Sequence, residues 1–541
     1  MKRCLLFFAF LFCQASILQA QSVLKTVDFK HYVDAFNKND TEYYHNFISN
    51  KDSWAFLSQK IPLLDCPDQD IERTYYFRWW TYRKHIKKTP EGYVITEFLP
   101  DVPWSGKYNT ISCPAALHFY EGRWLRDDTY LNDYATFWFR KGGNPRLYSF
   151  WAADAIYNQY LVSGNPAGVR QLLPDLIQNY AAWEKEKLST NGLFWQVDDR
   201  DGMEVSVCGS GYRPTINSYL YGDAVAISKM AELNENLEVA AVYREKARQI
   251  KLNVEAQLWD EGSGFFKVKS REANADLCDA RELQGYTPWY FNMPDAKYSS
   301  AWKYLIDSAY FKAPYGPTTV ARNHPGFKLS YQGHECQWNG PSWPYATSIT
   351  LTAMANLLNN YSQSVVNKAD YYELLKTYAV SQQLKRDNGE ALPWIDENLN
   401  PFTGDWISRT RLKTWENGGW SKDKGGEERG KDYNHSTYCD LVITGLMGVR
   451  PEQGNWLTIN PLIGVKQWTY FCLDKVNYHG KELTIFYDQT GKRYYRGKGF
   501  YILVNGKVVH HSKNITRTRI LLCNNVSHGY SQMSNQHKSL A

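Results

Sequence analysis

The sequence predicts a mainly α-helical protein, an (α/α)6 toroid with an irregular β-containing N-terminal section and a small C-terminal β domain. Three observations carry this prediction. Between residues 127 and 450, segments with apolar residues at three-to-four spacing follow one another in pairs. The loops between successive pairs are long and rich in polar and aromatic residues, as expected where helical hairpins form two rings and the loops at one end build a site. After about residue 450 the helical spacing gives way to alternation, which reads as strands. A fixed repeat of about 34–40 residues, the mark of a solenoid, is not found.

Met1-Lys2-Arg3 is a short basic stretch and Cys4 to Cys13 is nearly all apolar, so residues 1–20 read as a signal peptide cleaved after Ala20. A lipid-modified Cys13 is the rival reading, disfavoured because the bulky Phe12 precedes it. Beyond this segment there is no apolar run of about 18 residues, so no membrane span is expected. The mature chain is expected to act in the periplasm, a lipid-anchored surface location being the lesser alternative.

Residues 21–126 form the N-terminal section, helical at first and then strand-like, with Tyr93 to Leu99 alternating. Helices are expected at Tyr130–Phe139, Tyr148–Val162, Ala167–Leu188, Ile216–Asn234 and Glu238–Leu258. Others are expected at Ser300–Ser308, Pro344–Asn359, Lys368–Leu384 and Thr437–Met447. Pro166 sits where a helix start tolerates it. Residues 451–527 alternate through Asn455–Ile459, Lys481–Asp488 and Gly499–Lys507, where Asn505-Gly506 signals a tight hairpin. Residues 528–541 are a polar tail.

The net charge is +6, and +4 once Lys2 and Arg3 are removed, too weak and dispersed for a nucleic-acid partner. Of ten cysteines, eight lie beyond the signal and none forms a C-x-x-C pair, so no zinc or redox motif is visible. Most are expected to be free, and no bridge is assignable. No metal or organic cofactor is expected. Aromatic residues make up 16% of the chain and many stand beside Asp, Glu, Arg and Asn in loop-like segments. Sugar rings present apolar faces that stack on aromatic rings and hydroxyls that need polar partners, so carbohydrate is the expected ligand.

Two acidic loops stand out. Leu392 to Gly404 sets Glu397 near Trp394 and then turns through Asn400-Pro401 and Thr403-Gly404. A carboxylate held against apolar rings on a fixed turn suits a general base. Gly192 to Ser206 is dense in acids and leads through Tyr212-Arg213-Pro214 into a helix. Asp198 and Asp199 read there as solvated capping residues.

These segments resemble trehalase-like and family 63 glycoside hydrolases of the six-hairpin glycosidase superfamily. Glu397 to Gly404 is similar to their base-bearing E-x-Y-N-P-x-T-G segment, with Leu399 in place of the aromatic residue. Gly202-Met203-Glu204 resembles their Ser-Gly-Met-Asp acid motif, with Glu for Asp, which leaves Asp201 as an alternative acid. Trp338-Asn339-Gly340-Pro341-Ser342-Trp343-Pro344 resembles their W-x-G-P-x-W-P loop, and Gly285 to Trp289 and Gly316 to Thr319 resemble other pocket loops. The likeness is nearest to mannosylglycerate-hydrolase-like enzymes and to bacterial family 142 enzymes.

The resemblance implies exo-acting, inverting hydrolysis of O-glycosidic bonds. Glu204 or Asp201 would protonate the leaving oxygen and Glu397 would activate a water, the two carboxyls standing about 6.5–9.5 Å apart. Arg123, Asp127, Trp151, Trp289, Arg213, Trp338, Trp343 and His435 are the candidates for holding sugar. An Arg123–Asp127 salt bridge, core tryptophans and a structural His435 are the bland readings of the same residues. A polysaccharide lyase on a similar toroid, or a glycan-binding protein without catalysis, are the rival functions.

Overall fold

The computed structural model describes residues 22–329, 336–385, 389–408, 425–464 and 466–522. The expected signal peptide, the polar tail and Cys523 lie outside the described residues. Among those described, twelve α-helices are found: α1 (Lys30–Lys38), α2 (Ser53–Lys60), α3 (Gln69–Lys84), α4 (Ala115–Gly122), α5 (Thr129–Arg140), α6 (Ala152–Ser163), α7 (Ala167–Lys187), α8 (Pro214–Leu233), α9 (Leu237–Gln257), α10 (Thr287–Tyr290), α11 (Pro344–Asn360) and α12 (Lys368–Ser381). A 3-10 segment, Ala296–Tyr304, stands where the sequence predicts a helix at Ser300–Ser308.

Alternate helices form the inner ring. α4 packs on α6, α6 on α8, α8 on α10, α10 on α11, and α11 on a last helical segment, Leu441–Leu446. Glu121 at the end of α4 closes the ring. Its carboxylate accepts the backbone N–H groups of Tyr438 (3.1 and 3.2 Å), Cys439 (2.9 Å) and Asp440 (2.8 Å), which open that last segment. The outer layer is α3, α5, α7, α9, Ala296–Tyr304 and α12, with α12 returning to α3. The toroid expected from the sequence is therefore present.

Its first hairpin lies further upstream than expected, because α3 and α4 fall inside residues 21–126. Neither shows a polar face. Every residue of α4 is buried, and α3 is covered by α1 and α2 as well as by the ring. The burial of α3 extends to its cations: Lys84 Nζ lies 2.7 Å from both Asp40 and Asp432.

Local signals fix the helix ends. Asp68 caps α3 by accepting from Asp70 and Ile71, Asn367 and Asp370 form a capping box on α12, and Pro214 and Pro344 open α8 and α11. The last inner segment is a π-helix where an α-helix was expected. The Tyr371 hydroxyl donates to the Leu441 carbonyl at 2.9 Å, an acceptor an α-helix would reserve for Gly445. Gly445 permits this, since a Cβ there would collide with Tyr371 Oη.

The β structure lies mostly beyond residue 448. A five-stranded antiparallel sheet runs Leu63–Asp65, Tyr470–Tyr478, Lys481–Asp488, Gly499–Val504, Lys507–Ser512, so a strand from before the toroid forms its edge. Asn505 and Gly506 make the expected hairpin with φ of 49° and 74°. Val449–Pro451, Trp456–Ile459 and Thr518–Leu521 form a second sheet. Cys208 and Cys278 are bridged, a pairing not assignable from sequence, while Cys66, Cys113, Cys439 and Cys472 are free thiols. No described helix is long and apolar enough to cross a membrane.

Candidate active site

A cavity of about 260 Å³ opens where the inner helices begin. Cys113 precedes α4, Glu204 precedes α8, Trp343 and Tyr345 flank the start of α11, and His435 precedes the last segment; all line it. Of the residues singled out from sequence, it brings together Glu204, Glu397, Trp338, Trp343 and His435.

Glu397 is buried, and its Oε1 lies 2.8 Å from Arg429 Nη2. The loop beneath it is tightly stitched. Ser342 and Leu399 exchange backbone hydrogen bonds at 3.0 Å, joining this loop to the Trp-Gly-Pro loop. The Asn400 side chain accepts from Phe402 N at 2.9 Å, and Gly404 closes the turn with φ of 75°. The Asn-Pro and Thr-Gly signals thus hold the carboxylate in place, as the sequence implies.

Glu204 follows Gly202, whose φ is 70° and whose missing Cβ leaves room for Cys113 Sγ. The Glu204 carbonyl accepts from Trp338 N at 3.1 Å, tying the second acidic loop to the tryptophans. Burial pushes the Glu204 carboxyl up to about 8, and the negative charges of Asp199, Glu397 and Asp198 add to the rise.

Trp338 stacks on Trp343 with centroids 4.4 Å apart, and its buried Nε1 finds no acceptor among the described residues. His435 packs against Tyr433 at 4.0 Å between centroids. Burial, then the charge of Arg78, holds its imidazole well below the usual range, so it is neutral.

The remaining candidates stand elsewhere. Asp201 is buried behind the cavity wall, accepting from Arg213 Nε at 2.6 Å, Ser149 Oγ at 2.5 Å and the Thr215 hydroxyl. It and Arg213 brace the entry to α8. Arg123 and Asp127 do not pair: Arg123 binds Asp440 at 2.8 Å and Asp127 binds Lys60 at 3.0 Å. Trp151 is core, stacked on Tyr219 at 4.4 Å, and Trp289 is core beside Trp302 at 5.6 Å. Large rings with inner-helix neighbours are ordinarily buried, and these two are.

The wall holds a third carboxyl that sequence reasoning missed. Glu97 is buried there and accepts from the Tyr433 hydroxyl at 2.5 Å. Burial pushes it up to about 8; Glu397 and Glu204 raise it further, while Tyr433 and Arg429 oppose. Its signal in sequence is slight, one acid in an alternating run ending at Leu99. Among the described residues no cluster of three His, Cys, Asp or Glu suits a metal ion.

Residues 107–436 match the family model described as mannosylglycerate hydrolase MGH1-like glycoside hydrolase domain. The chain belongs to this glycoside hydrolase family. A solved structure named sialidase matches 93% of this chain at 42% identity with a TM-score of 0.85, covering 45% of that protein. An uncharacterized protein of Borreliella burgdorferi is 24% identical over 184 residues, 34% of this chain and 38% of that one. The chain thus spans less than half the length of these two relatives. An uncharacterized conserved protein from Thermus thermophilus shares the fold, with a TM-score of 0.51 at 13% identity over 69% of this chain and all of that one.

Proposed function

We propose that this protein is an exported, exo-acting glycosidase that hydrolyses O-glycosidic bonds with inversion. The observation that carries the reading is the pairing of unlike carboxyls in one cavity. Glu204 is held protonated by burial, whereas Glu397 is salt-bridged to Arg429 at 2.8 Å. Environments that push two acids apart assign acid and base.

In this reading Glu204 gives its proton to the leaving oxygen while Glu397 takes one from water attacking the opposite face of the sugar. The stacked Trp338 and Trp343 supply an apolar platform, and Trp338 Nε1 donates to a sugar hydroxyl. Glu97 and Glu204 hold protons and Arg429 offsets Glu397, so the pocket carries little net charge, and its polar groups suit the hydroxyls of a sugar. The apolar run at residues 4–13 supports export.

Product release from a panel of neutral and acidic oligosaccharides, followed by NMR, tests this. The expected result is a single sugar of inverted anomeric configuration, lost in Glu397→Gln and Glu204→Gln. Retained configuration, or undiminished release by Glu397→Gln, overturns it.

A further inference from the structure

A second cavity in the toroid, about 520 Å³, is larger than the one that holds the paired acids. It lies at the other end of the ring, where the inner helices finish and the sheet containing Arg450 and Arg519 covers them. No residue lines both cavities. Along α11 alone, Tyr345 of the first and Asn356 of the second are separated by about 16 Å of helix rise.

The charge of this second cavity is positive. Four guanidinium groups line it, those of Arg123, Arg450, Arg517 and Arg519. Arg123 is matched by Asp440 at 2.8 Å and Arg519 by Glu452 at 2.7 Å. Among the described residues no carboxylate comes within ion-pair distance of Arg450 or Arg517. They spend hydrogen bonds on neutral acceptors instead, Arg450 on Asn356 Oδ1 and Arg517 on the Asn359 carbonyl at 2.8 Å.

The third acid present, Asp154, accepts from the Tyr120 hydroxyl at 2.6 Å; burial pushes it up to about 6, so it is mostly ionised at neutral pH and the four guanidinium groups outnumber the carboxylates by one. Burial and then the nearby Arg123 push Arg450 down to about 10, with Asp440 opposing. The rings of Tyr120, Tyr157, Tyr290 and Phe291 also line the space, and the buried Tyr290 hydroxyl finds no partner among the described residues. A cavity of this size is in the usual range for small-molecule sites, and forked guanidinium donors match a carboxylate.

We propose that this second cavity binds a small acidic sugar, its carboxylate against Arg450 and Arg517 and its ring among the tyrosines. The site is separate from the hydrolytic one. Calorimetric titration of the full chain with D-glucuronate, D-glucose and inorganic sulfate tests it. Glucuronate is expected to bind saturably, and equally well to Glu397→Gln, while glucose does not. Arg450→Gln and Arg517→Gln are each expected to weaken glucuronate by about tenfold, the worth of one charge-assisted hydrogen bond. Arg517 is exposed, so its variant remains informative if Arg450→Gln fails to fold. The proposal is overturned by no saturable glucuronate binding, by equal binding of glucose or sulfate, or by glucuronate binding that both arginine variants retain.

Discussion

Glu97, Glu204 and Glu397 share one small cavity, and three carboxylates cannot all ionise there without mutual repulsion. Arg429 stabilises the charge on Glu397, leaving Glu97 and Glu204 to hold protons up to about pH 8. A general acid works only while protonated, so kcat/KM is expected to fall as pH rises through about 8. Glu204→Gln should lose about 10²–10⁴-fold at neutral pH, the usual worth of proton transfer. Glu97→Gln, whose amide imitates the protonated acid, should keep activity within about tenfold and keep the alkaline limb. A pH–rate profile in which that limb vanishes for Glu97→Gln instead would make Glu97 the acid. The same carboxyl bears on stability. Its folded pKa of about 8 lies above an unfolded value of about 4.3, so the native state binds more protons between them. Stability from this group is therefore full below about pH 4.3, is lost as pH rises, and stays lost above about pH 8. Glu97→Gln removes the loss. Its melting temperature relative to the native chain should climb across that window, ending on the order of 2 °C higher, as read by calorimetry at several pH values.

Glu121 shows what an element needs in order to join a ring. The last inner segment begins with N–H groups that have no helical acceptor of their own, and one buried carboxylate from α4 takes those of Tyr438, Cys439 and Asp440. Removing it leaves three donors without partners in a region that water does not reach. Glu121→Ala is expected to lower unfolding free energy by about 2–4 kcal/mol, measured as a fall in the urea midpoint at unchanged slope. An unaltered midpoint would mean that the ring closes by packing alone. Such elements also show what sequence conveys and what it hides. Outer helices such as α5 and α7 keep a polar face, so their apolar spacing was legible. α4 is buried on every side and α3 nearly so, which erases the stripe that marks a surface helix, and both were missed. The π-helix depends on a tyrosine 70 residues away from Leu441, beyond any local signal. In the site, Glu204 and Glu397 stood in recognisable turns, whereas Glu97 acquires its meaning from Tyr433, 336 positions later.

Across the whole molecule the acidic loop is held by ties that are distant in sequence. Trp338 N reaches the Glu204 carbonyl, and Cys208 a few residues on is bridged to Cys278 across a separation of 70 residues. Cys208 N also donates to Glu282 Oε1 at 3.1 Å, so backbone and sulfur anchor the same stretch. The five-stranded sheet does comparable work at the periphery, pairing Leu63–Asp65 with Tyr470–Tyr478 and so fastening the two sides of the toroid's chain to each other. A bridge closing a loop of this length stabilises chiefly by restricting the unfolded chain, by about 4 kcal/mol. It also fits an oxidising compartment, in line with the export proposed above. Reduction with dithiothreitol should lower the urea midpoint by an equivalent amount, and Cys208→Ser and Cys278→Ser should each reproduce the effect. The double variant should be no worse than either single one, since either substitution already breaks the bond. Because the tether ends four residues from Glu204, kcat should fall with stability in the reduced protein at temperatures well below its melting point. A reduced chain with native kcat and midpoint would show that the tryptophan contact and Glu282 hold the acid loop without the disulfide.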